Sequence, residues 1–151
     1  MKKETGMGII AIILIILSII ALCFGAYYFV SNFMKKEKNV DIKANMLVIK
    51  GKAKVLEETS KVNNNEEGLK GKKLSEMQED HIISEFLTKN IIDSTKLDKY
   101  YALRNEDLKE MELDIQNEKD SYYIVNYETE EVYITKGYVN EENSSTIYKL
   151  E

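Results

Sequence analysis

Apolar residues follow three successive patterns along this chain of 151 residues. Residues 5–34 are thirty consecutive positions without a charge, most of them Ile, Leu, Ala, Val, Phe or Tyr. Residues 35–62 place apolar residues three and four positions apart, which predicts an amphipathic helix. Residues 75–151 combine short helical patterns with runs rich in Tyr, Ile and Val, which predict strands. The order is therefore an apolar helix, an amphipathic helix and a small mixed region.

The uncharged run predicts a membrane-spanning helix over residues 7–34, preceded by a basic tail at 1–6. A bilayer core needs about 20 apolar residues in helical form, and this run is longer. Two alternatives remain at this point. A secretory signal peptide has an apolar core of about 7–15 residues, roughly half the length found here. A lipoprotein would use Cys23, but Leu22 stands where a small residue is wanted. The retained anchor is the interpretation that we favour.

Two apolar stripes run along the amphipathic helix when its residues are placed 100° apart. The first consists of Ile42, Met46, Ile49, Ala53 and Leu56, and we assign it as the packing or assembly face. The second, roughly opposite, consists of Val40, Ala44, Leu47, Val48 and Val55. A surface helix of a lone domain needs only one such stripe. Two stripes predict burial on two sides, one against the protein's own head and one against identical helices or a partner. The alternative is a helix wrapped more fully by its own domain.

The head is predicted from capping and turn signals. Ser75 with Gln78 three residues later has the spacing of a capping box and predicts the start of a helix. Asn105 is expected to cap a brief helix after a strand at 100–103. A hairpin of 122–127 with 132–135 follows, Gly137 is expected to mark a turn, and 146–150 makes a last strand.

These elements predict an α+β fold. A long N-terminal helix, transmembrane and then amphipathic, packs on an antiparallel sheet of three to four strands with one or two short helices between. The predicted segments are a tail at 1–6, a transmembrane helix at 7–34, an amphipathic helix at 35–62, a loop at 63–74 and a head at 75–151.

Charge is distributed unevenly along the chain. Residues 1–34 carry a net charge of +1, residues 35–62 carry +4 and residues 63–151 carry −10. An acidic head argues against nucleic acid as a partner, because phosphates would be repelled. Counting lysines near the two ends of the anchor favours a cytoplasmic head. The tail of about six residues with its Lys-Lys start instead favours a signal-anchor with the N-terminus in the cytoplasm and the head outside the cell membrane, which is the orientation that we expect.

The arrangement resembles the type IV pilin and pseudopilin superfamily, including the pseudopilins of type II secretion. The resemblance rests on a lysine-bearing leader that ends in Gly6, an uncharged helix from Met7, an amphipathic continuation and a closing sheet. Segments 41–47, 123–129 and 135–137 look similar to those of divergent pilin-like proteins of Gram-positive, clostridia-type bacteria. The resemblance implies cleavage by a prepilin peptidase between Gly6 and Met7, with Gly8 as the alternative leader glycine. The family usually carries Glu as the fifth mature residue, and Ala11 occupies that place here.

No catalytic constellation emerges from the sequence. His81 is the only histidine and is expected at a helix surface, and Glu128, Glu130 and Glu131 lack the spacing of a calcium loop. We therefore expect no enzyme, no cofactor, no metal and no small-molecule substrate. The expected partners are the lipid bilayer and further copies or other pilin-like subunits at the cell surface. A non-assembling, membrane-tethered adaptor that binds through its Tyr-rich sheet is the alternative function.

Overall fold

A computed structural model describes residues 4–65, 68–140 and 142–151 of the chain. The chain comprises two compact units, Met1–Val40 and Asp41–Glu151. The elements, in chain order, are α1 (Glu4–Asn63), β1 (Lys72–Lys73), α2 (His81–Thr88), β2 (Tyr100–Leu103), α3 (Asn105–Glu110), β3 (Tyr123–Asn126), β4 (Glu131–Val139) and β5 (Thr146–Lys149), with 3-10 helices at Leu74–Glu76 and Ser94–Lys99. The fold is α+β, as predicted.

The first unit contains the N-terminal part of α1. The side chains of residues 11–30 are all exposed, and most of them are large and apolar. No Pro interrupts the chain, so the commonest cause of a kink is absent.

The second unit is built around a five-stranded sheet in the order β1-β2-β3-β4-β5, in which all neighbours are antiparallel. The sheet has five strands, whereas the sequence predicts three to four. The additional strand is β1, a pair of lysines whose backbone pairs with Tyr101 and Ala102 of β2. A two-residue strand without alternating polarity carries no sequence signal, which explains the difference.

The sheet is covered on both faces. Side chains of β3 alternate between them, so that Tyr123 and Val125 pack with the C-terminal part of α1 while Ile124 packs with α2. All four residues of β3 are buried. This central position explains why the run is apolar rather than alternating.

Helix α2 begins later than the capping pattern at Ser75 predicts. Residues Leu74–Glu76 form only a 3-10 turn, and α2 starts at His81. Asp80 is the N-cap, because its Oδ1 accepts hydrogen bonds from the backbone N–H groups of Ile82 at 2.9 Å and Ile83 at 3.2 Å. A carboxylate that satisfies two free amide groups fixes the helix start more firmly than the spacing at Ser75.

Two further local predictions were wrong. The residue that precedes α3 and takes the N-cap position is Arg104, not Asn105, and its backbone N–H donates to Asp107 at 2.8 Å. Gly137 does not make a turn but lies within β4, where the register against β5 shifts between Tyr133 and Tyr138. Its φ of +71° accommodates this irregularity at low cost because glycine has no Cβ.

Candidate functional site

The apolar helix of the first unit is a candidate membrane span. The stretch Ala11–Ser31 is 21 residues long and none of it is buried within the protein. Its side chains include Leu14 at 61% exposure and Phe29 at 73%. A helix with this length and composition can cross a bilayer core. Cys23 is free and exposed on the same stretch.

The predicted leader residues lie at the start of α1. Gly6 and Met7 have helical backbone, while the structure describes no side chains before Ala11. Residues 1–3 lie outside the described residues, as do residues 66 and 67 of the predicted loop. Cleavage between Gly6 and Met7 therefore stays a prediction.

The first apolar stripe packs into the protein's own core. Ile42 is 7% exposed, and Met46, Ile49 and Ala53 are completely buried. Leu56 is half-buried and packs against the same cluster. Their neighbours come from the sheet and from α3. This stripe is therefore a packing face within the protein's own fold and is not exposed for contact with another chain.

The opposite side of the same helix has no cover among the described residues. We call Ala44, Leu47, Val48, Gly51 and Val55 the outer face of α1. Leu47, Val48 and Val55 are 57%, 51% and 55% exposed, and Ala44 and Gly51 are exposed as well. Val40, the remaining member of the second stripe, is 57% exposed in the first unit.

Lysines beside the outer face attach the helix to the head. Lys52 forms an ion pair with Glu112 at 2.9 Å, and Lys54 forms one with Glu130 at 3.2 Å. The hydrogen bond from Lys52 lowers the pKa of Glu112 below its usual value. Lys43 lies 5.3 Å from the ring centre of Tyr138, a cation–π distance. Exposed pairs of this kind each contribute little energy.

Most tyrosines of the head are buried and do not contribute to an open surface. Those that are buried are Tyr100, Tyr123, Tyr127, Tyr133 and Tyr138. Burial raises the pKa of Tyr123, whose hydroxyl accepts a hydrogen bond from Asn45 Nδ2 at 3.3 Å. The five buried tyrosines form part of the core around the sheet, while Tyr101, Tyr122 and Tyr148 are half-buried.

An open cleft of about 590 Å³ surrounds the only histidine. His81 is exposed there, near Glu85 and Lys89. These two neighbours pair with each other at 3.0 Å, and this hydrogen bond lowers the pKa of Glu85. The charges of Glu85 and Lys89 therefore compensate each other within the cleft.

The acidic residues of the β3–β4 turn each pair with a different lysine and do not gather around one point. Glu128 pairs with Lys99, Glu130 with Lys54, and Glu131 with Lys149. Across residues 4–65, 68–140 and 142–151, no group of three or more His, Cys, Asp or Glu is placed to hold a metal ion.

One structural contact between distant segments could not be predicted from the sequence. Tyr127, which directly follows β3, exchanges hydrogen bonds with the backbone of Lys70, in the segment that follows α1. A tyrosine in a predicted strand carries no signal for a partner 57 residues away, so only the structure reveals it.

No protein-family model, curated protein or solved structure matches the chain.

Proposed function

We propose that the protein is a single-pass membrane subunit of pilin-like or pseudopilin-like type, which assembles with copies of itself or similar subunits through its N-terminal helix. The N-terminus would lie in the cytoplasm and the acidic head outside the membrane. The role is structural, and the assembly would belong to a cell-surface or secretion filament.

The observation that carries this proposal is the division of α1 into two apolar faces with different surroundings. One face is used by the subunit's own sheet. The outer face leaves Leu47, Val48 and Val55 more than half exposed. Burying apolar surface is favourable at about 25 cal/mol per Å², so an exposed apolar helix face that the fold holds in place favours association.

Gly51 supports a close helix–helix approach at the same face. A Cβ built at Gly51 would meet nothing within 4 Å, so the packing of the subunit gives no reason for a glycine. Glycine inside a helix costs about 1 kcal/mol relative to alanine. A glycine on an apolar helix surface allows the backbone of another helix to come near.

The alternative function, a tether that binds through its Tyr-rich sheet without assembling, has less support. The tyrosines that it requires are mostly buried in the core. The cleft beside His81 is a concave surface that this alternative could use.

Cysteine crosslinking in native membranes separates the two functions. Cys23→Ser gives a cysteine-free chain, because Cys23 is the only cysteine. Leu47→Cys or Val48→Cys is then introduced on the outer face, and Lys96→Cys, an exposed residue of the head, controls for random collision. Assembly predicts disulfide-linked dimers from the outer face well above the Lys96→Cys level. Monomers from every position would contradict assembly and favour the tether.

Processing is tested separately by mass spectrometry of the mature N-terminus. The proposed function predicts a chain that begins at Met7, or after Gly8. An intact Met1 would remove the prepilin interpretation while leaving a membrane-anchored subunit in place.

A further inference from the structure

The apolar run is longer than a bilayer requires, so its length does not fix its position in the membrane. Residues 5–34 are thirty uncharged positions, and about twenty suffice to cross the hydrocarbon core. The surplus of about ten residues corresponds to about 15 Å of helix. Some other feature must determine which twenty residues lie in the hydrocarbon.

The polar side chains within the run differ in whether they have a hydrogen-bond partner within the helix. The hydroxyl of Ser18 donates a hydrogen bond to the backbone carbonyl oxygen of Ile15 at 2.8 Å. It can therefore lie at the centre of a bilayer without an unpaired donor. The side chains of Tyr27 and Tyr28 are 77% and 71% exposed, and neither hydroxyl has a hydrogen-bond partner among the residues that the structure describes.

The tyrosine hydroxyls need an acceptor outside the chain. A phenolic hydroxyl stands at the end of a rigid ring and points away from its own helix, so it does not reach the carbonyl of the preceding turn as serine does. Within hydrocarbon it would remain unpaired, which is unfavourable. At the level of the lipid ester groups it finds both carbonyl acceptors and water, while its ring stays in contact with acyl chains.

We propose that Tyr27 and Tyr28 lie at the ester-carbonyl level of the bilayer, donate hydrogen bonds to phospholipid carbonyl oxygens and so fix the depth of the helix. This inference rests on the membrane anchoring of the proposed function. The partner is the lipid surface itself.

This position determines which residues lie in the hydrocarbon. Twenty residues counted back from Tyr27 end near Met7, so the charged end of the chain lies in water on the far side, whether it is the new N-terminus left by cleavage or Lys2 and Lys3 of an uncut chain. The middle of the membrane then falls at Leu17 and Ser18, where the only polar side chain is paired within the helix.

The next residues towards the head would lie at headgroup level. Phe29, Val30, Phe33 and Met34 are 54–73% exposed and follow the tyrosines directly. A span centred instead on Ala11–Ser31 would have its middle at Ala21. The two positions differ by about 5 Å in depth, which fluorescence quenching can resolve.

Tryptophan scanning tests the depth, because the chain contains no tryptophan and an introduced one has no background. Full-length protein carrying Leu17→Trp, Phe24→Trp or Phe29→Trp, each with both tyrosines in place, is reconstituted into phosphatidylcholine vesicles with lipids brominated at known depths. We expect the deepest quenching at position 17 and quenching at position 29 about 17 Å from the centre. Deepest quenching at position 24, with position 29 also inside the hydrocarbon, would overturn the proposal.

The hydroxyls are tested by the double variant Tyr27→Phe/Tyr28→Phe, read with Phe24→Trp as the probe. Loss of both hydroxyls is expected to let the probe move about 3–5 Å deeper, towards a span centred on Ala21. Phe29→Leu, read with the same probe, is the matched control and should leave the depth unchanged. An unchanged depth in the double variant would overturn the proposal.

The protein-to-lipid ratio and vesicle flotation test the identity of the partner and the anchoring itself. If the hydroxyls were bound by another copy of the chain, the depth of the Phe24→Trp probe, which leaves both tyrosines in place, would change with the protein-to-lipid ratio, and this dependence would overturn the lipid as partner. Failure of the wild-type chain to float with vesicles would instead contradict the membrane anchoring on which the inference rests.

Discussion

The hydroxyl of Tyr127 donates a hydrogen bond to the backbone carbonyl oxygen of Lys70 at 2.7 Å and accepts one from the backbone N–H of the same residue at 3.1 Å. The ring of Tyr127 is buried, with only 2% of the residue exposed. One side chain thus joins the end of the central strand to the segment that leaves α1. These two hydrogen bonds fix the position of the backbone at Lys70, between α1 and the sheet.

Replacing this tyrosine tests the contact. Tyr127→Phe leaves both backbone groups of Lys70 without their partner, and the free energy of unfolding should fall by about 1–3 kcal/mol. Denaturant unfolding of the full-length protein in detergent, followed by tyrosine fluorescence, measures it. Tyr101→Phe is the matched control, because its ring packs edge-on against Tyr127 at 5.2 Å while its hydroxyl has no partner among the described residues. An equal loss in both variants would contradict the role of the hydrogen bonds.

The two faces of α1 should respond differently to truncation. Ile49→Ala removes a completely buried side chain and is expected to cost about 2–5 kcal/mol of unfolding free energy. Val48→Ala, one residue earlier and 51% exposed, should change it by less than about 0.5 kcal/mol. Both are measured in detergent at low protein concentration. Comparable destabilisation by Val48→Ala would mean that the outer face is covered after all.

Two glycines should give substitutions of opposite effect. Gly137→Ala would place a Cβ 2.5 Å from Cγ2 of Thr146 at a φ of +71°, and backbone strain alone costs about 1–2 kcal/mol. Gly51→Ala meets nothing within 4 Å and should stabilise the helix by about 1 kcal/mol. Thermal unfolding of the two variants shows whether each substitution raises or lowers the Tm. Destabilisation by Gly51→Ala in dilute detergent would reveal a contact that the fold does not contain.

Alkaline pH should unfold the head cooperatively. Burial is the largest cause that raises the pKa of Tyr123, Tyr127 and Tyr133 above the usual value of 10.0. The folded state favours the neutral hydroxyl. The contribution of these three tyrosines to the free energy of unfolding is therefore fully present below about pH 10, and it is lost as the pH rises towards their raised pKa values in the folded state. Absorbance of tyrosinate and far-UV circular dichroism should therefore change together above about pH 10. Ionisation of all tyrosines near their usual pKa without loss of structure would contradict the burial.

The periodicity of apolar residues predicted the helices and strands that bury one side against the core. The stripe from Ile42 to Leu56 follows the helical period, so its existence could be expected, and the structure shows that this stripe is the one buried against the sheet. The strand at Tyr100–Leu103 was predicted within its observed bounds. In such elements the apolar pattern repeats over several helical turns or strand alternations, so one residue that departs from the pattern does not change the prediction.

Features that depend on one hydrogen bond or on distant neighbours could not be predicted. The start of α2 depends on which of Ser75 and Asp80 reaches free amide groups, and both have suitable side chains. The strand β1 exists only because β2 offers its edge. The sequence also could not decide which apolar stripe faces the sheet, because both have similar hydrophobicity. Which stripe faces the sheet depends on the shape of the core, and that shape is known only from the folded structure.

The most direct test of the account is the topology of the full-length protein in intact cells. A Cys23→Ser/Lys96→Cys variant carries its only thiol on the exposed surface of the head and can be treated with a membrane-impermeant maleimide. We predict labelling in intact cells, with the labelled chain recovered in the membrane fraction after alkaline extraction. A thiol that reacts only after lysis, or a chain recovered as soluble protein, would contradict the anchored, outward-facing subunit.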